Sequence, residues 1–269
     1  MISVIIPTYK NPDYLDLCLR SVIEGQTNKN EIIVVVDGFV DRSKDVLKKY
    51  KDVSVIEFEE NRGIQTAMNI GVWNASNEKV LILNDDNVLP TGWDVRLEEV
   101  YDENVILTVN QIETTGPGMY RFPVIDCGQT AQTFDFEKYL QVENQLSKQE
   151  FTPDGNIFPI FLNKKWYVAV GGLDTFYNSP NWCDVDFFMK LQLIPNLSYA
   201  RTHYVHIYHF GSVSTRKNGE ADLFRQLEGH ALQQYNYKWG YLPNLFENAM
   251  KHNNSKLPFD GQTIRGIRP

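Results

Sequence analysis

Short aliphatic runs alternate with segments of helical periodicity along residues 1–109, and this alternation constrains the fold more than any other feature of the chain. The aliphatic runs are 2–7, 31–38, 53–58, 79–84 and 104–109. Because these runs are continuously apolar, they are typical of strands that are covered on both faces. Helical segments between successive strands predict right-handed βαβ crossovers. We therefore expect an α/β fold with a doubly wound, mixed, mostly parallel sheet of Rossmann-like type, flanked by helices.

Two of the helical segments carry clear local signals. After the first strand, Asn11 is suited to an N-cap and Pro12 to the first helical position. After the third strand, Gly63 permits a sharp turn into a helix. Ala67 and Gly71 then lie four residues apart on one helical face, which favours a close approach of that helix to the sheet.

The alternation stops at Asn110. Residues 110–130 are rich in turn formers and precede a helical pattern over 134–148, so this region predicts an insertion or one wall of a binding site. Further strand and helix patterns follow, ending in a helix predicted over 220–240. We expect residues 1–240 to form one domain and residues 241–269 to form an irregular tail.

Composition excludes several classes of protein. The formal net charge is -8 and no stretch clusters Lys and Arg, which argues against a nucleic-acid-binding surface. Any phosphate group that the protein binds is therefore expected to arrive with a metal ion. The first strand is followed by "PTYKNPDY", which has neither the Gly-rich, Arg-bearing loop of a nucleotidyltransferase nor the Gly-x-Gly-x-x-Gly of a dehydrogenase.

The cysteines and the N-terminus indicate the compartment. Cys18, Cys127 and Cys183 are widely spaced and odd in number, which fits a reduced environment and a role as small buried apolar residues. The N-terminus has no basic region before an apolar one, and no window reaches about 18 uninterrupted apolar residues. We expect a soluble, cytoplasmic protein without a signal peptide, and peripheral membrane contact stays open.

Polar side chains follow two of the predicted strands where those strands end. In "VLILNDDNVLP" the strand is followed by Asn84, Asp85, Asp86 and Asn87, and Asp37 ends the second strand. A polar turn would explain each of them. Ligands of doubly wound sheets, however, bind beyond the carboxyl ends of the strands, and a divalent cation shared with a diphosphate prefers hard oxygen ligands.

Other candidate residues lie later in the chain. Asn61 and Arg62 precede a helix N-terminus, which favours anions. His209 ends a late strand, with His203 and His206 as nearby alternatives, although a lone histidine is more often structural. Asp184 and Asp186 are two residues apart on a predicted helix, so they point in different directions and only one can face a given cleft.

Seven segments in order along residues 1–240 resemble the family 2 glycosyltransferases of the GT-A fold. They are "SVIIPTYKNPDYLDLCLRSV", "EIIVVVDG", "NRGIQTAMNIG", "VLILNDDNVLPTGW", "GGLDTFY", "CDVDFF" and "HFGSVS". The resemblance implies a metal-dependent, inverting transfer of a sugar from a nucleoside-diphosphate sugar to a hydroxyl of a glycan or other acceptor. It also implies a nucleotide-sugar-binding half over 1–109, an acceptor-binding half over 110–240 and a need for Mn²⁺ or Mg²⁺.

The same resemblance assigns roles to individual residues. The residues implied to bind the nucleotide sugar are Pro7, Thr8, Tyr9, Asp37, Asn61, Arg62, Asn84 and Asp85. Asp86 would bind the metal and His209 the metal or the diphosphate. Asp184 would be the catalytic base, and Gly172 and Trp182 would lie on the acceptor side, where Trp182 could stack on a sugar ring or simply pack.

The chain departs from the family pattern at three points. A single acidic residue precedes Gly38, which leaves the nucleotide role open between Asp37 and Asp41. Asn84 occupies the first position of the metal element, and Cys183 stands where an acidic residue often precedes the base. These departures leave open a catalytically silent module of the same fold that binds nucleotide sugars or glycans. The identities of the sugar, the nucleotide, the acceptor and the oligomeric state are not encoded in these motifs.

Overall fold

A computed structural model describes residues 1–38, 42–114, 122–153, 157–177, 179, 181–211 and 221–240, with the backbone alone for 221–225. Among them the strands are β1 (Ile2–Thr8), β2 (Glu31–Asp37), β3 (Val53–Phe58), β4 (Lys79–Ile82), β5 (Asn87–Val88), β6 (Val105–Glu113), β7 (Phe151–Thr152), β8 (Ile160–Asn163) and β9 (Ser198–His209). The helices are α1 (Pro12–Gly25), α2 (Ser43–Leu47), α3 (Ile64–Asn74), α4 (Trp93–Glu99), α5 (Phe136–Leu146), α6 (Lys164–Ala169), α7 (Cys183–Gln192) and α8 (Ala221–Trp239).

The described strands form one mixed sheet in the order β3-β2-β1-β4-β8-β6-β9-β5, and β7 pairs with β9 outside this path. Strands β3, β2, β1 and β4 are parallel, as are β6 and β9, and these pairings span more residues than the antiparallel ones. Strand β8 runs antiparallel between β4 and β6. The predicted α/β fold with a mixed, mostly parallel sheet is therefore confirmed.

The sheet is covered on both faces, as its continuously apolar strands predict. Alternate residues of a strand point to opposite faces, and in β1 Ile5 packs with the cluster that includes α3 and α7, whereas Ile6 packs with α1 and α4. Every residue of β1 is buried. At Gly71 of α3, an added Cβ would overlap the Cγ2 atom of Ile5, so the small residues of this helix do permit a close approach to the sheet.

Two local expectations change. Helix α1 begins at Pro12 as predicted, but the side chain of Asn11 makes no capping hydrogen bond and reaches Asp85 instead. The segment "DRSKDVLKKY" predicts a helix over 41–50, but helix α2 spans only Ser43–Leu47. The two-residue strands β5 and β7 carried no signal, because two residues show no periodicity.

The remaining sequence expectations concern the cysteines, membranes and the tail. All three cysteines are free and buried, which confirms their predicted role as small buried residues. Among the described helices, none combines the length and apolar character needed to cross a membrane. The predicted tail, 241–269, and Asp41 lie outside the described residues.

Candidate active site

The polar residues at the strand ends converge because their strands are neighbours. Strands β2, β1 and β4 are adjacent and parallel, so Asp37, Thr8 and the turn after β4 lie along one edge of the sheet. This is the edge at which doubly wound sheets bind ligands. The sequence prediction that these residues share an edge is confirmed by this topology.

Asp85 joins the end of β1 to the turn after β4. Its carboxylate accepts hydrogen bonds from Thr8 Oγ1 at 2.7 Å and Asn11 Nδ2 at 3.0 Å, and a further one from the backbone N–H of Tyr9. Burial, together with the neighbouring charge of Asp86, raises the pKa of Asp85 to about 7, although these hydrogen bonds oppose the shift. A cation near this pair would therefore favour its ionised form.

Asp86 lies beside His209. The Oδ1 atom of Asp86 is 3.7 Å from Nε2 of His209, and the backbone N–H of Phe210 donates to the Asp86 carbonyl at 3.2 Å. Strand β5 sets this arrangement, since Asn87 pairs with His209 in the antiparallel β5–β9 ladder. On its other ring nitrogen, Nδ1, His209 contacts Glu113 Oε1 at 3.0 Å.

His206 occupies a different environment. Its Nε2 atom lies 3.1 Å from Asn110 Nδ2, and burial, followed by the nearby His203 and arginine charges, lowers the pKa of His206 to about 4. The imidazole is therefore neutral at physiological pH. Of the three histidines that the sequence left open, His209 is the one that lies beside Asp86.

The residues at this edge fit a divalent cation that substrate helps to hold. Two atoms that each lie about 2.1 Å from a shared ion can be up to about 4.2 Å apart, so the 3.7 Å between Asp86 Oδ1 and His209 Nε2 is compatible with a common ion. Within the part of the chain that the structure describes, no three His, Cys, Asp or Glu side chains are arranged to hold a metal by themselves. Diphosphate oxygens and water would have to complete the coordination.

Asp37 fixes the turn that leads into α3. Its Oδ1 atom accepts the backbone N–H of Arg62 at 2.6 Å, and the N–H of Gly63 donates to Asn61 Oδ1 at 3.1 Å. Gly63 has φ +86°, a conformation that disfavours a side chain. Burial raises the pKa of Asp37 despite the bond from Arg62. Asn61 and Arg62 are exposed at the mouth of the turn, which leaves their side chains accessible to a ligand.

Asp184 lies in the first turn of α7. Its carboxylate is half-buried and accepts the backbone N–H of Val185 at 2.8 Å. Burial raises the pKa of Asp184 to about 6, against the lowering effect of backbone N–H groups at the helix start. A carboxylate with this pKa is ionised at neutral pH and is a better proton acceptor than an ordinary aspartate.

Asp186 points away from Asp184, as the two-residue spacing predicts. It is fully buried and contacts Lys238 Nζ at 2.7 Å, Trp239 Nε1 at 2.7 Å and the hydroxyl of Tyr177 at 3.3 Å. These groups belong to α8 and to the segment before α7. Asp186 therefore holds helices together, and Asp184 is the member of the pair that remains available to a ligand.

Gln65 ties the segment before α7 to the same sheet edge. From the first turn of α3, its Nε2 atom donates to the carbonyls of Tyr177 at 3.1 Å and Ser179 at 2.6 Å. Helix α3 starts next to the turn that Asp37 fixes. This link brings the start of α7, and with it Asp184, towards the nucleotide side. The convergence of Asp86 and Asp184 on one sugar stays a prediction.

The profile described as Glycosyl transferase family 2 matches residues 3–159, which is more than half of the chain. The chain belongs to this family. Among curated relatives of the family 2 chain, the glycosyltransferase GlyA of Streptococcus pneumoniae serotype 4 is 39% identical over 183 residues, covering 64% of this chain and 26% of GlyA. AglE of Haloferax volcanii is 26% identical over 165 residues, covering 58% of this chain and 51% of AglE. The chain thus spans about a quarter to a half of the length of these relatives.

Solved structures share the fold of the family 2 chain at low sequence identity. S. aureus TarS 1-349 in complex with UDP has a TM-score of 0.55 at 16% identity, covering 97% of this chain and 76% of that one. The mannosyltransferase PcManGT from Pyrobaculum calidifontis, solved with GDP-Man and Mn2+, has a TM-score of 0.59 at 18% identity, covering 99% of this chain and 72% of that one. These likenesses establish the GT-A fold.

The two positions expected on the acceptor side of the family 2 fold have packing roles in the structure. Gly172 has φ +68°, and an added Cβ would overlap Asn69 Oδ1. The ring of Trp182 packs against Tyr235 of α8, with centroids 5.2 Å apart. Contact of Gly172 or Trp182 with an acceptor stays a prediction.

Three residues that contact or position the candidate site residues escaped the sequence reasoning. They are Asn11, Gln65 and Glu113. Glu113 ends β6, but the apolar run of that strand stops at Val109 and the polar Asn110 and Gln111 follow it, so the rule that singled out Asp37 does not reach Glu113. The hydrogen bonds of Asn11 and Gln65 span 74 and 112 to 114 residues, and nothing local in the sequence signals contacts at that range.

Proposed function

We propose that the protein transfers a sugar from a nucleoside-diphosphate sugar to a hydroxyl of a glycan or glycoconjugate, with inversion at the anomeric carbon and with Mn²⁺ or Mg²⁺. The observation that carries the proposal is the pairing of Asp86 with His209 at the edge where Thr8, Asp37 and Asp85 also meet. The UDP in the TarS complex, and the GDP-Man and Mn2+ in the PcManGT complex, support a nucleotide-sugar and metal chemistry for this fold.

The sugar donor is proposed to bind in the half formed by residues 1–109. Pro7, Thr8 and Tyr9 end β1 next to Asp37, and the exposed Asn61 and Arg62 lie at the start of α3. A helix N-terminus and an arginine together favour the negative charge of a diphosphate. Asn84 and Asp85 then lie on the ribose side, with Asp85 held rigid by its three hydrogen-bond donors.

Asp86 and His209 would hold the divalent ion. When bound, the ion supplies positive charge that neutralises the departing diphosphate. The chain's own contribution is to fix the two ligand groups before substrate arrives: Asp86 through the backbone bond from Phe210, and His209 through Glu113. Groups fixed in this way need little reorganisation in the transition state.

Asp184 is proposed to take the proton from the acceptor hydroxyl. The hydroxyl oxygen then attacks the anomeric carbon from the face opposite the diphosphate, the bond to the leaving oxygen breaks, and the configuration inverts. The raised pKa of Asp184, about 6, suits this role because the group is still ionised at neutral pH. The matched family and the relative GlyA are described as glycosyltransferases, which favours an enzyme over a silent binding module.

The test combines nucleotide binding with turnover. A thermal-shift screen of UDP, GDP and TDP and their sugars, with and without Mn²⁺, identifies the ligand, since a ligand that binds the native state raises the unfolding midpoint. With that sugar donor, Asp184→Asn should lose about 10²- to 10⁴-fold in transfer or donor hydrolysis while it still binds the ligand.

The matched control is Asp52→Asn, which changes an exposed aspartate whose partner among the described residues is Lys29, at 3.5 Å, and should keep full activity. Undiminished transfer by Asp184→Asn would overturn its role as base. Turnover that persists unchanged in EDTA would overturn metal dependence, and the failure of every nucleotide to shift the midpoint would refute the nucleotide site.

A further inference from the structure

Glu113, His209 and Asn87 form a row across three neighbouring strands. Glu113 and His209 are register partners in the parallel β6–β9 pair, and His209 and Asn87 are register partners in the antiparallel β9–β5 pair. Asp86 directly precedes Asn87. The middle strand, β9, therefore presents His209 with a carboxylate on either side, Glu113 on one and Asp86 on the other.

The contact with Glu113 determines which ring nitrogen of His209 carries hydrogen. An ionised carboxylate only accepts hydrogen bonds, so the 3.0 Å contact with Glu113 Oε1 requires Nδ1 of His209 to be the N–H donor. In the neutral ring, Nε2 then carries the lone pair, and it faces Asp86 Oδ1 at 3.7 Å. That distance exceeds a hydrogen bond, and a cation bound by both atoms would offset the repulsion between the lone pair and the carboxylate oxygen.

Glu113 is itself held firmly. Its backbone N–H donates to the Pro123 carbonyl at 2.9 Å, and its own carbonyl accepts the N–H of Ile125 at 3.0 Å. Its side chain is 19% exposed and that of His209 is 18% exposed, so water competes little for the bond between them. The carboxylate of Glu113 is thus fixed behind the imidazole, on the side away from Asp86.

We propose that Glu113 is a positioning residue that orients His209 and sets its tautomer so that Nε2 faces a divalent cation shared with Asp86. This inference rests on the proposed function, because it assumes that the cation binds at Asp86 and His209. Partners of this kind behind a metal-binding histidine typically alter metal affinity by about 10- to 100-fold. Glu113 would act through His209 and would not touch the ion.

The test measures Mn²⁺ affinity directly. Free Mn²⁺ is followed by its electron paramagnetic resonance signal during titration of the whole protein in the presence of UDP and, separately, GDP. Glu113→Ala should weaken Mn²⁺ binding about 10- to 100-fold. Glu113→Gln should weaken it less, because the amide oxygen can still accept the bond from Nδ1–H. Glu103→Ala, an exposed change before the start of β6, should leave the affinity unchanged.

A double-mutant cycle separates positioning from general damage. His209→Ala should weaken Mn²⁺ binding. Glu113→Ala added to it should cause no further loss, because Glu113 acts through the imidazole of His209, which the first substitution removes. If the two losses are additive, Glu113 acts independently of His209 and the inference is overturned. Far-ultraviolet circular dichroism of each variant shows whether the fold is kept.

A second readout does not depend on the metal. In ¹⁵N-histidine-labelled protein at pH 8, the signals lost in His209→Ala identify the ring, which should show a protonated Nδ1 and an unprotonated Nε2. Glu113→Ala should mix the two tautomers, whereas an unchanged tautomer together with unchanged Mn²⁺ affinity would overturn the inference. If His209→Ala binds Mn²⁺ like the wild type, the proposed metal site fails and the role of Glu113 fails with it. If His209→Ala weakens Mn²⁺ binding but Glu113→Ala changes neither the affinity nor the tautomer, the proposed metal site is kept and only the role of Glu113 is rejected.

Discussion

Asp85 and Asp186 are both buried aspartates, but they lie in different regions and are stabilised in different ways. Asp85 is surrounded by neutral donors from the ends of β1 and the start of α1, with another carboxylate, Asp86, beside it. Asp186 instead contacts Lys238 and Trp239 of α8. The hydrogen-bond donors described for Asp85 are neutral and do not balance the charge of the two carboxylates, which is what the proposed cation site requires. The charge of Asp186 is already balanced by the protein.

This difference separates two parts of the site. The nucleotide side depends on strand ends within the first 87 residues together with His209, and no residue of α8 is among the contacts described for Asp85 or Asp86. The segment that leads to Asp184 depends on α8, which supplies Tyr235 beneath Trp182 and Glu228 as a 2.8 Å partner of Asn181. Substitutions that destabilise α8 should therefore reduce transfer more than they reduce nucleotide binding.

The largest effect should come from Asp186→Ala. The change removes the buried acceptor of Trp239 and one of two carboxylates that contact Lys238, the other being Asp174, and should lower the free energy of unfolding by about 3 kcal/mol. Transfer should fall as α7 shifts, while the Kd for the nucleotide measured by calorimetry should stay within about twofold, since additivity holds for distant sites. Asp126→Ala, an exposed change, is the control. Equal losses in nucleotide binding and transfer would break the separation between the two regions.

Thr8→Val should produce a smaller effect whose size depends on pH. The pKa of Asp85 is about 7 in the folded protein and 3.8 ordinarily, so Asp85 ionises less readily in the folded state. The contribution of Asp85 to the free energy of unfolding is therefore fully present below pH 3.8 and is lost as the pH rises through 7. The hydroxyl of Thr8 reduces this loss. Its removal should therefore lower the free energy of unfolding by about 2 kcal/mol at pH 8 and by about 1 kcal/mol at pH 5.

Urea unfolding at the two pH values measures this difference. Thr66→Val is the matched control, because its hydroxyl is exposed and its acceptor among the described residues is the Arg62 carbonyl four residues earlier. A loss for Thr8→Val that is the same at both pH values would mean that Thr8 does not act on the charge of Asp85.

The smallest expected effect is on the pH dependence of transfer, which reports on Asp184 and not on nucleotide binding. The base must be ionised, so kcat should be level above pH 6 and fall about tenfold per unit below it, as Asp184 becomes protonated. The rate at saturating substrate isolates this step from nucleotide binding. A profile that is level down to pH 4 would contradict the assignment of Asp184 as base.

The sequence predicted the strands and strand ends of residues 1–109 better than the arrangement of residues 110–240, for a physical reason. Continuous apolar strands and the residues that end them are local features, and parallel neighbours bring those ends together without further information. The position of β8 between β4 and β6, and the contact of Asp186 with α8, depend on pairings between residues far apart in the chain. The hydrophobic periodicity of a sequence does not reveal such pairings. The same limit hid the bond from Asn11 to Asp85, because a local N-cap role looked sufficient.

The central claim is that Asp86 and Asp184 act on opposite sides of one sugar. A crystal structure with Mn²⁺ and the sugar donor identified by the screen, with Mn²⁺ located by its anomalous scattering, tests this claim most directly. The account predicts an anomalous peak about 2.1 Å from Asp86 and His209, with the carboxylate of Asp184 directed at the anomeric carbon from the face opposite the diphosphate. A peak away from Asp86, or a carboxylate of Asp184 that faces away from the sugar, would contradict it.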